Sequence, residues 1–143
     1  MPSRSTRLAA LSFAAAGLAA TAMFWHSTPV AAAGGVDPAT PEFYTASVQP
    51  IFQNNCYRCH GGVNHRGGLK LDSKAAILAG SKSGPVITPG DPAKSLLVTL
   101  IRHEGPADDP RPMPPKDKLS DADIATVTAW IKAGAAMPAD PAQ

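Results

Sequence analysis

The stretch NNCYRCHGG, residues 54–62, contains both cysteines of this 143-residue chain. Cys56 and Cys59 are separated by two residues, and His60 follows the second cysteine directly. Three kinds of site use cysteines at this spacing: a disulfide, a zinc ion and a covalently attached haem. The fold of the chain depends on which of the three is present.

A haem fits this spacing best. Thiols one helical turn apart match the two vinyl groups on one side of a porphyrin, and the next residue, His60, projects towards the iron. A Cys-x-x-Cys disulfide would close a very small loop and stabilise the fold little. A structural zinc site needs a fourth ligand, such as His65 or His103, and a redox-active dithiol needs a strand followed by a helix. The motif therefore predicts covalent haem c at Cys56 and Cys59, with His60 as the proximal iron ligand.

The first 33 residues have the pattern of an export signal. MPSRSTR carries two arginines and no acid, an apolar alanine-rich run follows from Leu8 to Trp25, and Ala31 to Ala33 offer an A-x-A cleavage site. Residues 1–33 are therefore predicted to be a Sec-type signal peptide that directs the protein to the periplasm or otherwise out of the cytoplasm. The alternative is an uncleaved membrane anchor, for which the apolar run is long enough.

The charge of the mature chain is balanced. Removal of Arg4 and Arg7 with the signal leaves 11 of the 13 Lys and Arg residues against 11 Asp and Glu, so the formal net charge of residues 34–143 is zero. No basic stripe with interleaved aromatic residues is present in the sequence, so no nucleic-acid partner is expected. Contact with a membrane is expected only if the signal segment is retained.

Helix signals alternate with proline- and glycine-rich loops after the signal. The spacing of apolar residues and the capping residues predict four helices, at 42–56 with an interruption at Pro50, 73–80, 94–103 and 120–134. The first helix is expected to cross the last near Ala125 or Gly134, where small residues permit close approach. With 13 prolines and 11 glycines in residues 34–143, a chain of this size usually needs a staple, and a large apolar cofactor would complete its core.

These signals define the organisation of the chain. Residues 34–41 are predicted to be a flexible lead-in, 42–137 the folded domain and 138–143 a disordered tail. The fold class is all-α: a small fold of short helices and Pro/Gly-rich loops wrapped around one covalently bound haem.

Four residues are candidates for the second axial position of the iron: His65, His103, Met113 and Met137. His65 is only five residues from His60 in a tight loop, and Met137 lies in the C-terminal tail. Prolines on both sides of Met113 hold its backbone stiffly, as a weak thioether ligand requires. Met113 is therefore the predicted distal ligand, with His103 at the end of a helix as the alternative.

Five blocks read in order carry a family resemblance: CYRCHGG, GGLKLDSKAAILAG, SGPVITPGDPAKSLL, MPP and DIATVTAWIKAGA. Over residues 42–137 the chain resembles a planctomycete-type cytochrome c domain of the class I cytochrome c superfamily. The resemblance implies a small cytochrome c-like fold, covalent haem c at Cys56 and Cys59, proximal ligation by His60 and distal ligation by Met113.

An iron held by both His60 and Met113 leaves no coordination site for a substrate. The sequence therefore predicts an exported monohaem electron carrier, not an enzyme, that meets its redox partner proteins transiently by outer-sphere transfer. Two alternatives stay open: a haem subunit of a larger exported oxidoreductase complex, and a haem enzyme or gas sensor if the sixth position of the iron is open.

Overall fold

The computed structural model describes residues 35–105 and 111–141, so the predicted signal peptide lies outside the described residues. Within these ranges the regular structure is helical, and β-pairing is limited to two isolated bridges. The helices are α1 (Pro41–Phe43), a π-helical segment (Tyr44–Val48), α2 (Gln49–Asn55), α3 (Tyr57–His60), α4 (Lys74–Ala79), α5 (Leu96–Ile101) and α6 (Asp121–Lys132), with short 3₁₀ turns at Arg66–Gly68 and Pro92–Lys94. The predicted all-α class is confirmed.

The N-terminal helix is interrupted where the sequence predicts. It begins at the cap Thr40, whose hydroxyl accepts the backbone N–H of Phe43 at 3.4 Å. Pro50 has no N–H to donate to the preceding turn, and the chain widens into a π-helical turn just before it, with the Gln49 N–H donating to the Tyr44 carbonyl. The helix therefore continues through Asn55 and reaches the first cysteine.

The N-terminal helix crosses α6 through aromatic side chains. The fully buried ring of Trp130 lies 5.4 Å from the ring of Tyr44 and 6.0 Å, nearly edge-on, from that of Phe52, measured between centroids. Such contacts stabilise beyond the area they bury. The predicted crossing at Ala125 or Gly134 is wrong, since both residues are exposed. Large rings, and not small residues, fill the space between the two helices.

Helix α4 has the predicted ends. The Ser73 hydroxyl accepts the Ala76 N–H at 3.2 Å, and Gly80 stops the helix at φ +79°. A side chain at Gly80 would meet the Gly84 carbonyl oxygen at 2.5 Å. Glycine is therefore required there both for its backbone angle and for the close approach of the next turn.

Helix α5 is shorter than the predicted 94–103 because its first turn is replaced by the 3₁₀ turn. Ser95, a buried polar residue, sits at the junction: its hydroxyl accepts the Thr88 N–H at 2.8 Å and donates to the Asp91 carbonyl at 2.9 Å. These bonds tie the preceding loop to the start of α5. The buried face of α5 is formed by Leu97, Val98 and Ile101.

The C-terminal segment contacts α4 through Asp140, whereas the disordered tail at 138–143 stays a prediction. The Asp140 carboxylate accepts the backbone N–H groups of Lys74 and Ala75 at 2.7 and 2.8 Å, so it caps the start of α4. An acid at a helix N-terminus is favourable because it pairs with unsatisfied donors there. The contact requires residues 66 positions apart in sequence, which local sequence signals do not reveal.

No helix among residues 35–105 and 111–141 is long and apolar enough to cross a membrane.

Loss of the α6 cap is expected to weaken the fold measurably. The Ser120 hydroxyl accepts the Asp123 N–H at 3.1 Å and donates to the Asp123 carboxylate at 2.8 Å. Ser120→Ala should lower the free energy of unfolding by about 1 kcal/mol, measured by denaturant titration of the haem-loaded protein. Ser83→Ala, at an exposed turn serine, is the control and should change it by less than about 0.5 kcal/mol. Equal effects of the two variants would contradict the assignment of this cap.

Candidate haem site

One helical turn places the two cysteines and the histidine. The carbonyl of Cys56 accepts the N–H of Cys59 at 3.0 Å and the N–H of His60 at 2.8 Å. Cys56 therefore begins the turn and Cys59 ends it, so the two thiols lie one turn apart on the same side. His60 is the last residue of α3.

The loop after α3 folds back and fixes His60. The His60 carbonyl accepts the Leu71 N–H at 2.8 Å, and the Asn64 side chain donates to the Arg58 carbonyl at 3.1 Å. The Nδ1 atom of His60 is buried and has no hydrogen-bond partner among the described residues. Buried polar atoms are normally paired, and the only other buried side-chain atom left unpaired among the described residues is the Tyr57 hydroxyl.

The donor side chains line one apolar cleft. Its empty volume, which includes the open mouth, is about 700 Å³. The cleft is lined by Asn55, Cys56, Cys59, His60, Arg66, Leu69, Leu71, Val86, Leu97, Leu100, Ile101, Met113, Pro114 and Pro115. Two thiols, an imidazole and a thioether on apolar walls are the donor set and surroundings that a covalently held haem requires, so the residues present fit the group.

The cysteines do not have the properties of a disulfide or a redox dithiol. Both are free thiols. Burial, and to a lesser extent the neighbouring Cys59, raises the pKa of the Cys56 thiol to about 11. Reactive Cys-x-x-Cys pairs have a lowered pKa instead. Within the described ranges, no group of three or more His, Cys, Asp or Glu side chains is arranged to hold a metal ion.

Met113 lies in the wall of the cleft, whereas the other three candidates for the distal position do not line it. The backbone N–H of Met113 donates to the Leu100 carbonyl at 3.0 Å. His103 instead has its Nε2 atom 3.1 Å from the Pro114 carbonyl oxygen. His65 is exposed, and Met137 is buried on the wall of a different cavity formed with the C-terminal segment.

Two polar residues, Arg66 and Asn55, also form part of the cleft wall. Arg66 lines the cleft, as a partner of an anionic haem edge would. Asn55, directly before the first cysteine, also lines it, and its side chain donates to the Ile51 carbonyl at 2.8 Å. Asn55 was not predicted from the sequence as a site residue, and only its position next to Cys56 could have indicated it. Trp130 does not line the cleft. Its indole N–H donates to the Ala136 carbonyl at 2.8 Å.

Two thiols and an imidazole on one helical turn, beside an apolar cleft with a thioether in its wall, are typical of one class of protein, the c-type cytochromes. Residues 56–117 match the family model described as planctomycete cytochrome C. The resemblance predicted from the sequence is thereby confirmed over the matched segment, which is similar to a cytochrome c domain of that type. Such a domain implies covalent haem c and a role in haem-based electron transfer, as a carrier rather than an enzyme.

No curated protein and no solved structure matches the chain. The family match lies inside the predicted domain, whose bounds at 42 and 137 stay a prediction.

The two glycines after His60 are expected to respond differently to a methyl group. A side chain at Gly61 would meet the Tyr57 carbonyl oxygen at 2.7 Å, whereas one at Gly62 would be 3.4 Å from the Asp72 carboxylate. Gly61→Ala should therefore displace the backbone of α3 and lower the yield of covalently loaded protein by about tenfold, a loss comparable to overpacking a core by 1–3 kcal/mol. Gly62→Ala should load normally.

The measurement is haem absorbance per mole of exported protein after denaturing electrophoresis, with Gly62→Ala as the matched control. Normal loading of Gly61→Ala would show that α3 tolerates the displacement.

Proposed function

We propose that the protein is an exported monohaem c-type cytochrome that carries single electrons between redox proteins. The observation that supports this is the meeting of Cys56, Cys59, His60 and Met113 on the wall of one apolar cleft. Three of them come from one helical turn, and the fourth is more than 50 residues away in the sequence.

Each of these side chains has a distinct role in the proposal. Cys56 and Cys59 hold the haem by thioether bonds, and His60 and Met113 are the axial ligands of its iron. When bound, the haem supplies one-electron chemistry between the ferrous and ferric states. The thioether of Met113 and the apolar walls both favour the ferrous state, so a comparatively high reduction potential is expected.

Export is the second part of the proposal. Haem c is attached outside the cytoplasm, and the signal peptide predicted at residues 1–33 would take the chain there. Cytochrome c domains are typically exported, which supports the same location. The first alternative, a subunit of a larger oxidoreductase, involves the same haem chemistry. Copurification with other chains under mild lysis would distinguish such a subunit from a separate carrier.

Met113→Ala is expected to abolish methionine ligation. The exported wild-type protein should give sharp c-type bands after reduction by dithionite, and the ferric protein should show the weak far-red charge-transfer band of Met-ligated haem. Met113→Ala should lose the far-red band and bind carbon monoxide when reduced, because its sixth position is open. Absorption spectra of both oxidation states provide the test.

Met137→Ala is the matched control, because Met137 is buried outside the cleft. It should cost stability but keep the far-red band. A wild-type protein without haem would overturn the proposal. A wild-type protein with haem, without the far-red band and with carbon monoxide bound, would favour the enzyme or gas sensor.

The nature of the partner follows from how charge is distributed along the chain. Residues 56–84 contain five Lys or Arg and one Asp, a net charge of +4, so the rest of residues 34–143 carries −4. The five cations are Arg58, Arg66, Lys70, Lys74 and Lys82. None of the ion pairs within the described ranges involves any of them. A mature chain of zero net charge therefore still presents a local positive field.

Three of the five cations, Arg58, Arg66 and Lys82, lie on the attachment turn or on the loop that follows it. Arg66 lines the cleft, and Lys82 packs on the same loop, where its N–H donates to the Gly67 carbonyl at 2.9 Å. Val63, in the loop after His60, is 91% exposed. An exposed apolar residue in a segment rich in cations suits brief contact with an acidic surface that carries some apolar area. We therefore propose that the partner is a redox protein with an acidic patch beside its own centre.

Electron transfer to small oxidants is expected to report this local charge. Oxidation of the reduced protein by ferricyanide, an anion, should slow as ionic strength rises, and oxidation by tris(phenanthroline)cobalt(III), a cation, should accelerate. Arg66→Glu should reduce the ferricyanide rate at low salt by about three- to tenfold. Stopped-flow kinetics measure both effects.

Lys132→Glu makes the same change in net charge at an exposed residue outside the positive segment, and should reduce the rate much less. Equal losses in the two variants would mean that net charge, and not the positive segment, governs the encounter.

A further inference from the structure

His103 occupies a backbone position that normally belongs to glycine. Its φ is +58°, in the left-handed region. Its N–H donates to the Leu100 carbonyl at 3.1 Å, and the N–H of Glu104 donates to the Thr99 carbonyl at 3.1 Å. These two bonds form a Schellman motif that ends α5, with His103 at the position directly after the helix cap.

The other end of the chain shows what the backbone alone prefers. Helix α6 ends in the same motif: the Gly134 N–H donates to the Ile131 carbonyl at 3.0 Å and the Ala135 N–H to the Trp130 carbonyl at 2.9 Å. There the position directly after the cap, with φ +106°, is a glycine, and Ala135 beside it has φ +55°. A histidine pays a steric penalty that glycine avoids. The side chain of His103 makes a contribution that the helix end itself does not need.

That contribution is a hydrogen bond to the loop of Met113. The Nε2 atom of His103 lies 3.1 Å from the Pro114 carbonyl oxygen. A carbonyl only accepts, so Nε2 carries the hydrogen and donates. The Leu100 carbonyl accepts the Met113 N–H as well as that of His103. Met113 is thus held on one side by its own N–H and on the other by the carbonyl of the next residue.

The loop has few other ways of being held. Residues 112, 114 and 115 are prolines, which have no N–H. Met113 is the only backbone donor of residues 112–115, and that donor is already used on Leu100. Any further hydrogen bond from the protein to this segment has to end on one of its carbonyls, as the bond from His103 to Pro114 does.

We propose that His103 is a positioning residue for the distal ligand: it holds the Met113 loop against α5 so that the thioether stays on the iron. This inference rests on the proposed function, in which Met113 is an axial ligand. The Nε2 atom of His103 donates to the Pro114 carbonyl. His103 therefore acts through the loop and does not bind the iron itself.

The test separates the backbone of residue 103 from its side chain in the haem-loaded protein. His103→Gly suits the left-handed backbone but removes the donor. His103→Asn tolerates that backbone too, but is too short to reach Pro114. His103→Gln keeps an N–H donor at similar reach. Imidazole is the probe, since it competes with Met113 for the ferric iron, and its binding is followed by the shift of the main absorption band and loss of the far-red band.

The glycine and asparagine variants should bind imidazole about three- to tenfold more tightly than the wild type, as expected for loss of one hydrogen bond. The glutamine variant should lie closer to the wild type. Thermal unfolding should show His103→Gly to be at least as stable as His103→Gln, so that tighter imidazole binding cannot result from general loosening of the fold.

Each result has one meaning. Equal imidazole affinities for the wild type and His103→Gly, or for His103→Gly and His103→Gln, overturn the positioning role. Loss of a bis-histidine spectrum in His103→Gly overturns it too, since His103 would then be the ligand. A wild-type protein without haem or without the far-red band means instead that the proposed function has failed.

Discussion

The single helical turn from Cys56 to His60 is the constraint on which the site depends. One carbonyl, that of Cys56, accepts two N–H groups and so fixes two thiols and an imidazole relative to each other. Such a short helix cannot be stable alone. The surrounding structure holds it: α2 leads into it, Gly61 leaves room for it, and Leu71 binds its last carbonyl. The apolar cleft beside the turn is thus a product of segments that are remote in sequence.

Local signals in the sequence predicted the parts of the molecule that local chemistry decides. The spacing of Cys56 and His60 indicated the haem site, and prolines around Met113 indicated a stiff loop, which the structure places in the cleft wall. Ser120 indicated the start of α6, since its hydroxyl bonds to the first turn of the helix that follows it. These features need no knowledge of which other part of the chain lies nearby.

The features that sequence did not reveal are contacts between distant segments. The crossing of the N-terminal helix and α6 occurs at Trp130 because ring shape decides which residues meet, and helical spacing alone does not contain that information. The contact of Asp140 was hidden for the same reason, because its partners are in α4. The backbone angle of His103 was equally hidden, since nothing in IRHEG distinguishes a left-handed histidine from a helical one.

The docking of Asp140 on α4 has a practical consequence for protein engineering. Its carboxylate satisfies the first two backbone donors of the helix, so a purification tag or reporter that replaces the last residues would leave those donors to water. A fusion joined after Pro141 keeps the contact between the Asp140 carboxylate and α4 intact. The segment after α6 is therefore a usable attachment point for an electrode linker or a partner domain only when the native sequence is retained up to that proline.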